Sequence, residues 1–214
     1  MSKPPQTLQF LVWGTLALVI AGVVGMFAIS KFNAAPPLPI ISQIPNFVLT
    51  NQENRAITLA DLRGQVWIGD IIFTRCGGPC PEMTRKMAEL QSALPSILQN
   101  KFVSLTTDPE FDSPAVLKKY GEKFGADFSR WTFLTGDKQE IFKLGVEGLK
   151  LSSVEIDPKD RKAVDDLFIH ATYFVLADKQ GRARAVFETV GEDVDWNEVQ
   201  TQIISAVKNL ARER

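Results

Sequence analysis

The apolar stretch at residues 66–73 ends just before the only two cysteines of the chain, Cys76 and Cys80, and this junction constrains the fold more than any other feature. The stretch is rich in β-branched and aromatic residues and, apart from Asp70, is apolar on both faces. Such a pattern is typical of a central strand that helices cover on each side. Because helical periodicity starts at Glu82, the cysteine pair is predicted to lie on a turn between a buried strand and a helix.

The predicted turn contains residues that suit a reactive or metal-binding cysteine pair. Pro81 is favourable at the first position of a helix, which places Cys80 at or next to the helix cap. At such a position the helix dipole favours a thiolate over a neutral thiol. Gly77 and Gly78 have no side chains, so they let the loop fold tightly and let a metal, a partner thiol or another backbone come close.

The other elements follow from β-rich runs and from apolar positions at helical spacing. We predict strands at residues 47–50, 56–59, 66–73, 101–106, 131–134, 172–176 and 184–189, and helices at residues 82–94, 114–125, 138–144 and 194–210. Residues 147–168 carry many charges without periodicity and are predicted to be an excursion with a loop at 157–165. This order predicts an α/β fold with a mixed central sheet flanked by helices.

Residues 10–29 form an uncharged apolar run, which as a helix of about 20 residues would span a hydrocarbon core of ~30 Å. We predict an uncleaved transmembrane helix there. The competing interpretation is a cleaved signal peptide, but the run exceeds the usual apolar core of ~7–15 residues. Residues 1–9 are then a short cytoplasmic tail, residues 30–43 a Pro-rich linker and residues 44–211 the folded domain.

The location of the domain follows from the tail and the cysteines. The segment before the apolar run lacks the Arg-rich amphipathic pattern of a mitochondrial presequence, which favours a bacterial protein. A close cysteine pair can cycle as a disulfide or hold a metal outside the cytoplasm, where thiols are not kept reduced. We therefore expect a single-pass protein of the bacterial inner (cytoplasmic) membrane, with its C-terminal domain in the periplasm or outside and membrane lipid around residues 10–29.

The charged residues and the possible metal ligands exclude some classes of function. The chain has 24 Lys and Arg residues against 25 Asp and Glu residues and no basic stripe, which argues against nucleic acid as a partner. Two cysteines exclude a four-cysteine zinc site. The single histidine, His170, directly precedes a predicted strand whose end can lie beside the end of the cysteine strand. Two thiolates and one imidazole suit Cu(I), which favours soft ligands, or a redox copper site.

Other residues allow simpler interpretations. A disulfide that closes five residues stabilises a protein by only about 2 kcal/mol, so a purely structural bridge is disfavoured. Met83 and Met87 have the spacing of a helix face and are interpreted as core rather than thioether ligands. Asp108, Glu110 and Asp112 follow a predicted strand and would suit a hard cation. A solvated turn with a helix cap is the preferred interpretation of that acidic loop.

Several segments together match one family pattern. They are Phe73-Thr74-x-Cys76-x-x-x-Cys80-Pro81, residues 104–114, residues 131–136, His170 before a strand, and Asp178-x-x-Gly181. Over residues 44–210, about the whole predicted domain, the chain resembles the Sco/SenC proteins, membrane-anchored thioredoxin-like copper proteins that serve cytochrome c oxidase assembly. One departure is the Gly77-Gly78-Pro79 loop, since family members commonly have proline after the first cysteine and bulkier or acidic residues between the two cysteines.

The resemblance implies a thioredoxin-like fold in which Cys76, Cys80 and His170 bind copper, as Cu(I) or Cu(II). It implies delivery of copper to the binuclear copper centre of the oxidase, or reduction of the cysteines of that centre. The implied partner is the copper-bearing subunit of cytochrome c oxidase or a similar copper apoprotein, and a homodimer is left open.

Two classes of function therefore compete. The first is a protein that binds and transfers copper rather than an enzyme that turns over. The second is a membrane-anchored thiol-disulfide oxidoreductase in which Cys76 or Cys80 is the attacking thiolate. The three-residue spacing between the cysteines differs from the two-residue spacing of thioredoxins and argues against a general reductase. A peroxidase of the peroxiredoxin type is a third, weaker alternative.

Overall fold

The structure, a computed structural model, describes residues 6–32, 37–151 and 172–213. The chain divides into two units, Met1–Pro37 and Leu38–Arg214. The first unit contains one long helix, α1 (Gln6–Phe32), over the predicted apolar run. None of the helices in the described ranges combines the length and the hydropathy that a bilayer span requires. The transmembrane helix at residues 10–29 therefore stays a prediction from the sequence.

The second unit alternates strands and helices, as predicted. Its strands are β1 (Ser42–Gln43), β2 (Val48–Asn51), β3 (Ala56–Thr58), β4 (Trp67–Ile72), β5 (Lys101–Thr106), β6 (Trp131–Thr135), β7 (Tyr173–Ala177) and β8 (Arg182–Glu188). Its helices are α2 (Leu59–Leu62), α3 (Cys80–Ala93), α4 (Pro114–Lys123), α5 (Lys138–Phe142) and α6 (Trp196–Arg212). A 3-10 turn at Ser96–Leu98 and a π-helical segment at Lys143–Gly148 complete the described elements.

The strands form one mixed sheet in the order β1-β8-β7-β4-β5-β6-β2-β3. Strands β4, β5 and β6 are parallel to one another, and the other pairings in the sheet are antiparallel. The register of β4 and β5 runs from Trp67↔Lys101 to Ile72↔Thr106. Because parallel strands end at the same edge of a sheet, the loop after β4 and the loop after β5 lie side by side. This places the cysteine loop next to the acidic loop.

Two hydrophobic cores cover the two faces of the sheet, and β4 contributes to both. Ile68 and Ile72 belong to the core that contains α3 and α6. Trp67 and Ile71 belong to the opposite core, which contains α2 and the π-helical segment. Every residue of β4 is buried, so the prediction of a central strand covered on each side is confirmed.

Local capping explains one difference from the predicted elements. The sequence predicts a strand at residues 56–59, but β3 ends at Thr58 and Leu59 opens α2. The Thr58 backbone N–H donates to the Asp61 carboxylate at 2.8 Å, which is half of a capping box. The predicted excursion at 147–168 lies mostly outside the described residues. Its first two residues end the π-helical segment, and Leu149 and Leu151 belong to the second core.

A buried arginine joins the two ends of the second unit. Arg184 is 3% exposed and donates to the Leu38 carbonyl at 3.0 Å and to the Pro39 carbonyl at 3.2 Å. It also donates to the carboxylates of Asp178 and Glu213, each at 2.8 Å. Charge-assisted bonds of this kind are stronger than neutral ones, so the start of the unit, the β7–β8 hairpin and the C-terminal residues are held together.

Close packing at one glycine gives a test of the fold. A Cβ added to Gly121 in α4 would lie 2.8 Å from ring atoms of both Phe128 and Phe133. Gly121→Ala is therefore expected to lower the free energy of unfolding by about 1–3 kcal/mol, although alanine is the better helix former. Urea denaturation measures the change. The exposed residue Lys119 of the same helix is the control, since Lys119→Ala should stay within about 0.5 kcal/mol of wild type. Equal midpoints for the two variants would contradict the packing described here.

Candidate metal-binding and redox site

The cysteine loop connects β4 to α3, as the sequence predicts. The Cys76 backbone N–H donates to the Phe73 carbonyl at 3.2 Å, which closes a turn after the strand. Helix α3 begins at Cys80 with Pro79 as its N-cap residue. The Thr84 hydroxyl donates to the Cys80 carbonyl at 2.8 Å. A buried strand and a helix start therefore fix the two ends of the loop.

The two thiols are in contact inside the protein. Cys76 is 6% exposed and Cys80 is 3% exposed, and no disulfide joins them. The hydrogen bond with Cys76 is the main cause that raises the pKa of Cys80 well above its ordinary value. Burial and the charges of Cys76 and Asp70 act in the same direction, and a backbone hydrogen bond from Phe73 opposes them. The expectation that the helix terminus favours a Cys80 thiolate is therefore wrong, because the hydrogen bond with Cys76, burial and the charges of the neighbouring acids all act against it.

Asp70 is a buried acid on the same side of the sheet as the cysteines. It is 0% exposed, and within the described part of the chain neither carboxyl oxygen has a partner at normal hydrogen-bond geometry. Burial raises the pKa of Asp70 to about 7, while the Ser104 hydroxyl on the neighbouring strand opposes the rise. Ser104 in turn accepts a hydrogen bond from the Trp131 indole at 3.0 Å. In the sequence, Asp70 is the only charge in an otherwise apolar strand, and that interruption is the signal of its role.

Tyr120 of α4, which lies in the helix predicted at residues 114–125, is a further buried acid beside the pair. Its hydroxyl lies 2.8 Å from the Thr84 hydroxyl. Burial is the main cause that raises the pKa of Tyr120, and the charges of Cys80, Asp70 and Cys76 raise it further, while Thr84 opposes the rise. The neutral form of each acid is thus favoured by burial and by its acidic neighbours. A cation placed among them would relieve both costs.

The acidic loop after β5 is hydrogen-bonded to the start of the cysteine loop. The Asp112 carboxylate is 0% exposed and accepts hydrogen bonds from the Thr74 backbone N–H at 3.1 Å, from the Thr106 hydroxyl at 2.5 Å and from the Thr74 hydroxyl. Arg75 donates to Asp108 at 2.5 Å and lies 4.2 Å from the centre of the Phe111 ring. The interpretation of this loop as a solvated turn is therefore wrong for Asp112, which is tied to the cysteine loop.

The structure describes some of the predicted metal ligands but not all of them. Cys76 and Cys80 come together, whereas His170 lies outside the described residues, so its place beside the thiols stays a prediction. Met83 and Met87 are each 0% exposed in the core that packs against the sheet, which confirms them as core residues. Within residues 6–32, 37–151 and 172–213, no group of three or more His, Cys, Asp or Glu side chains is arranged to hold a metal.

Comparison with known proteins gives matches to one family. The family model described as SCO1/SenC matches residues 41–208, which is most of the chain. The SCO1 protein homolog of Bacillus subtilis (strain 168) is 29% identical over 187 residues, which cover 87% of this chain and 94% of that protein.

Two solved structures have the same fold. BsSco, a member of the Sco family of cytochrome c oxidase assembly proteins in which a disulfide switch was identified, is 28% identical with a TM-score of 0.66, covering 84% of this chain and 100% of that one. Yeast Sco1 with copper bound is 25% identical with a TM-score of 0.63, covering 78% of this chain and 89% of that one. The mixed α/β sheet flanked by helices is therefore the fold of the Sco structures.

The buried carboxyl gives a prediction about stability and pH. The folded protein keeps the Asp70 proton up to about pH 7, while the unfolded chain releases it near 3.8. The contribution of this group to stability is therefore full below pH 3.8 and is lost as the pH rises through about 7. Relative to wild type, Asp70→Asn is expected to gain stability between pH 4 and pH 8, by ~4 kcal/mol at most. Urea denaturation of both proteins at the two pH values measures the gain, and an unchanged difference would show that Asp70 is not buried as an acid.

Proposed function

This chain belongs to the SCO1/SenC family, and we propose that it is a copper-binding and copper-transfer protein. In this proposal Cys76 and Cys80 bind one copper ion as thiolates, and His170 supplies the nitrogen ligand. The copper then passes to a partner apoprotein, the copper-bearing subunit of cytochrome c oxidase. The contact between the two buried thiols is the observation that carries the proposal.

The chemistry of the pair fits copper. Cu(I) favours soft sulfur ligands and accepts few of them, so two adjacent thiols and one imidazole are a suitable set. Burial and neighbouring acids disfavour a thiolate at Cys80 in the absence of a cation. A bound cation stabilises the thiolates, and an ionised Asp70 beneath them adds to that stabilisation. Yeast Sco1, which resembles this chain over most of its length, has been solved with copper bound.

The surroundings of the pair are suited to transfer between proteins. Both thiols are almost inaccessible to solvent, while Gly77 and Gly78 in the same loop are exposed. A loop without side chains lets the backbone of a partner approach closely, so the ligands of the partner can replace those of this chain one at a time. Support for the oxidase as the partner comes from BsSco, which belongs to a family of cytochrome c oxidase assembly proteins.

The proposal includes a membrane tether. Residues 10–29 would anchor the chain in the bacterial cytoplasmic membrane, and residues 30–43 would connect the anchor to a domain in the periplasm or outside. The apolar, uncharged composition of residues 10–29 supports this part of the proposal.

A thiol-disulfide oxidoreductase is the second candidate. The contact between the thiols favours it, since a dithiol in contact can close to a disulfide with little movement of α3 or β4. The attacking species in such exchange is a thiolate, and the raised pKa of Cys80 disfavours one there. Copper binding meets the same cost, but the bound cation itself offsets it, so the raised pKa of Cys80 favours copper binding over a thiol exchange that starts at Cys80.

Removal of individual ligands tests the proposal. Cys76→Ala and Cys80→Ala are each expected to abolish high-affinity binding of Cu(I), and His170→Ala is expected to weaken it. Titration against a competing Cu(I) chelator measures the affinities. Met83→Leu is a matched control, because it removes a buried sulfur near the pair while conserving volume, and its affinity should equal that of wild type.

The same variants separate the two candidate functions. Equal copper affinity of wild type and the cysteine variants would reject the copper site. Rapid reduction of a partner disulfide without copper, undiminished by His170→Ala, would instead favour the oxidoreductase.

The raised pKa of Cys80 predicts how copper binding depends on pH. A thiol must lose its proton to bind the metal, and the ordinary value for Cys80, 9.0, is already above neutral pH before the rise. Copper affinity should therefore increase from pH 6 to pH 8, by about tenfold per pH unit for each proton released. Competition titrations at three pH values, corrected for protonation of the chelator, measure the slope. A flat profile would mean that the thiolates exist before copper binds.

A further inference from the structure

Asp112 lies on the acidic loop, but its side chain is hydrogen-bonded to the start of the cysteine loop. It is 0% exposed, and its carboxylate accepts one backbone and two hydroxyl hydrogen bonds. Two of these bonds come from Thr74, two residues before Cys76, and one comes from Thr106 at the end of β5. Both oxygens are used, so the carboxylate joins the exit of β4 to the exit of β5.

The frame that holds Asp112 is rigid. Its backbone N–H donates to the Asp108 carbonyl at 2.9 Å. The next residue, Ser113, is the N-cap of α4 and accepts a hydrogen bond from the Val116 backbone N–H. The Thr106 hydroxyl also accepts from the Asp108 backbone N–H at 3.0 Å. A strand end, a tight turn and a helix start thus fix the position of the carboxylate.

The bonds to Thr74 determine the direction in which the chain leaves β4. The backbone N–H and the hydroxyl of Thr74 both bind the same carboxylate, which fixes the backbone and the side chain of this residue together. The turn that places Cys76 starts at the neighbouring Phe73. A shift of Thr74 therefore moves Cys76 relative to Cys80, which is held separately by the start of α3.

A second connection between the two loops is more exposed. Arg75 binds Asp108 and covers the ring of Phe111, but the side chain of Arg75 is 36% exposed and Phe111 is 45% exposed. Ion pairs open to solvent contribute little, about 0–1 kcal/mol. The buried connection through Asp112 is therefore the one that fixes the loop.

We propose that Asp112 is a positioning residue for the copper site, acting on Cys76 through Thr74. The inference rests on the proposed function, since it assigns how the thiol pair is held ready for the metal. Asp112 does not touch the metal in this proposal, and it serves by keeping the Cys76 sulfur at a fixed distance from Cys80.

Two isosteric variants of the full chain separate positioning from stability. Thr74→Val and Thr106→Val each remove one hydroxyl bond to Asp112, but only Thr74 lies on the cysteine loop. Thr106→Val also removes the bond to the Asp108 backbone, so it should lower the melting temperature at least as much. Thr74→Val is expected to weaken Cu(I) binding about tenfold, and Thr106→Val clearly less. Thr74→Ser, which keeps the hydroxyl, should recover affinity relative to Thr74→Val.

A readout without copper tests the positioning independently of the proposed function. Loosening of the loop exposes the buried thiols, so iodoacetamide should alkylate Cys76 several times faster in Thr74→Val and Asp112→Asn than in Thr106→Val. Equal copper affinities and equal alkylation rates for the two valine variants would overturn the role of Asp112. Wild type that fails to bind copper would reject the proposed function alone, and the alkylation rates would then decide the positioning.

Discussion

The contact between two buried thiols above a buried carboxyl is the interaction on which the rest of the site depends. Cys76 and Cys80 touch each other, and the charge of Asp70 raises the pKa of Cys80. Burial and the acidic neighbours disfavour a further negative charge at this site, so Cys80 keeps its proton until a cation or an oxidant arrives. The two candidate functions are alternative ways to remove the thiol protons, by exchange for a metal ion or together with two electrons.

The sheet holds the two cysteines and the buried carboxyl in place. Strand β4 is buried on both faces, and a carboxyl at its centre has no route to water. The parallel pairing of β4 with β5 ends both strands at one edge, which brings the cysteine loop and the acidic loop together. Helix α3 then starts at the second cysteine, so each cysteine is held by a different element. The separation of the two sulfurs is set by packing of these elements rather than by the loop between them.

Much of this could be predicted from the sequence, because the signals are local. The apolar run at 66–73 predicts β4, and the ends of β5 agree with the prediction at both residues, Lys101 and Thr106. Helix α2 was missed although Thr58 and Asp61 have the spacing of a capping box. The bonds of Asp112 could not be found in this way, because Thr74 is 38 residues distant along the chain and meets it only through strand register. The prediction of a thiolate at Cys80 was wrong for the same reason, because the groups that raise its pKa are neighbours in space rather than in sequence.

The bonds of Arg184 have a consequence for the layout of the domain. Asp178 and Arg184 lie at the edge of the sheet where β4 begins, because Trp67 pairs with Ala177 and Ala177 pairs with Ala183. Leu38, where the domain begins, and Glu213 near its end therefore lie at one pole of the domain, beside the start of β4. The cysteine loop lies at the opposite pole, about 20 Å away along the six residues of β4. Entry and exit at one pole leave the opposite pole unobstructed by either end of the domain. The cysteine loop therefore lies at the end of β4 opposite to Leu38, where the domain begins.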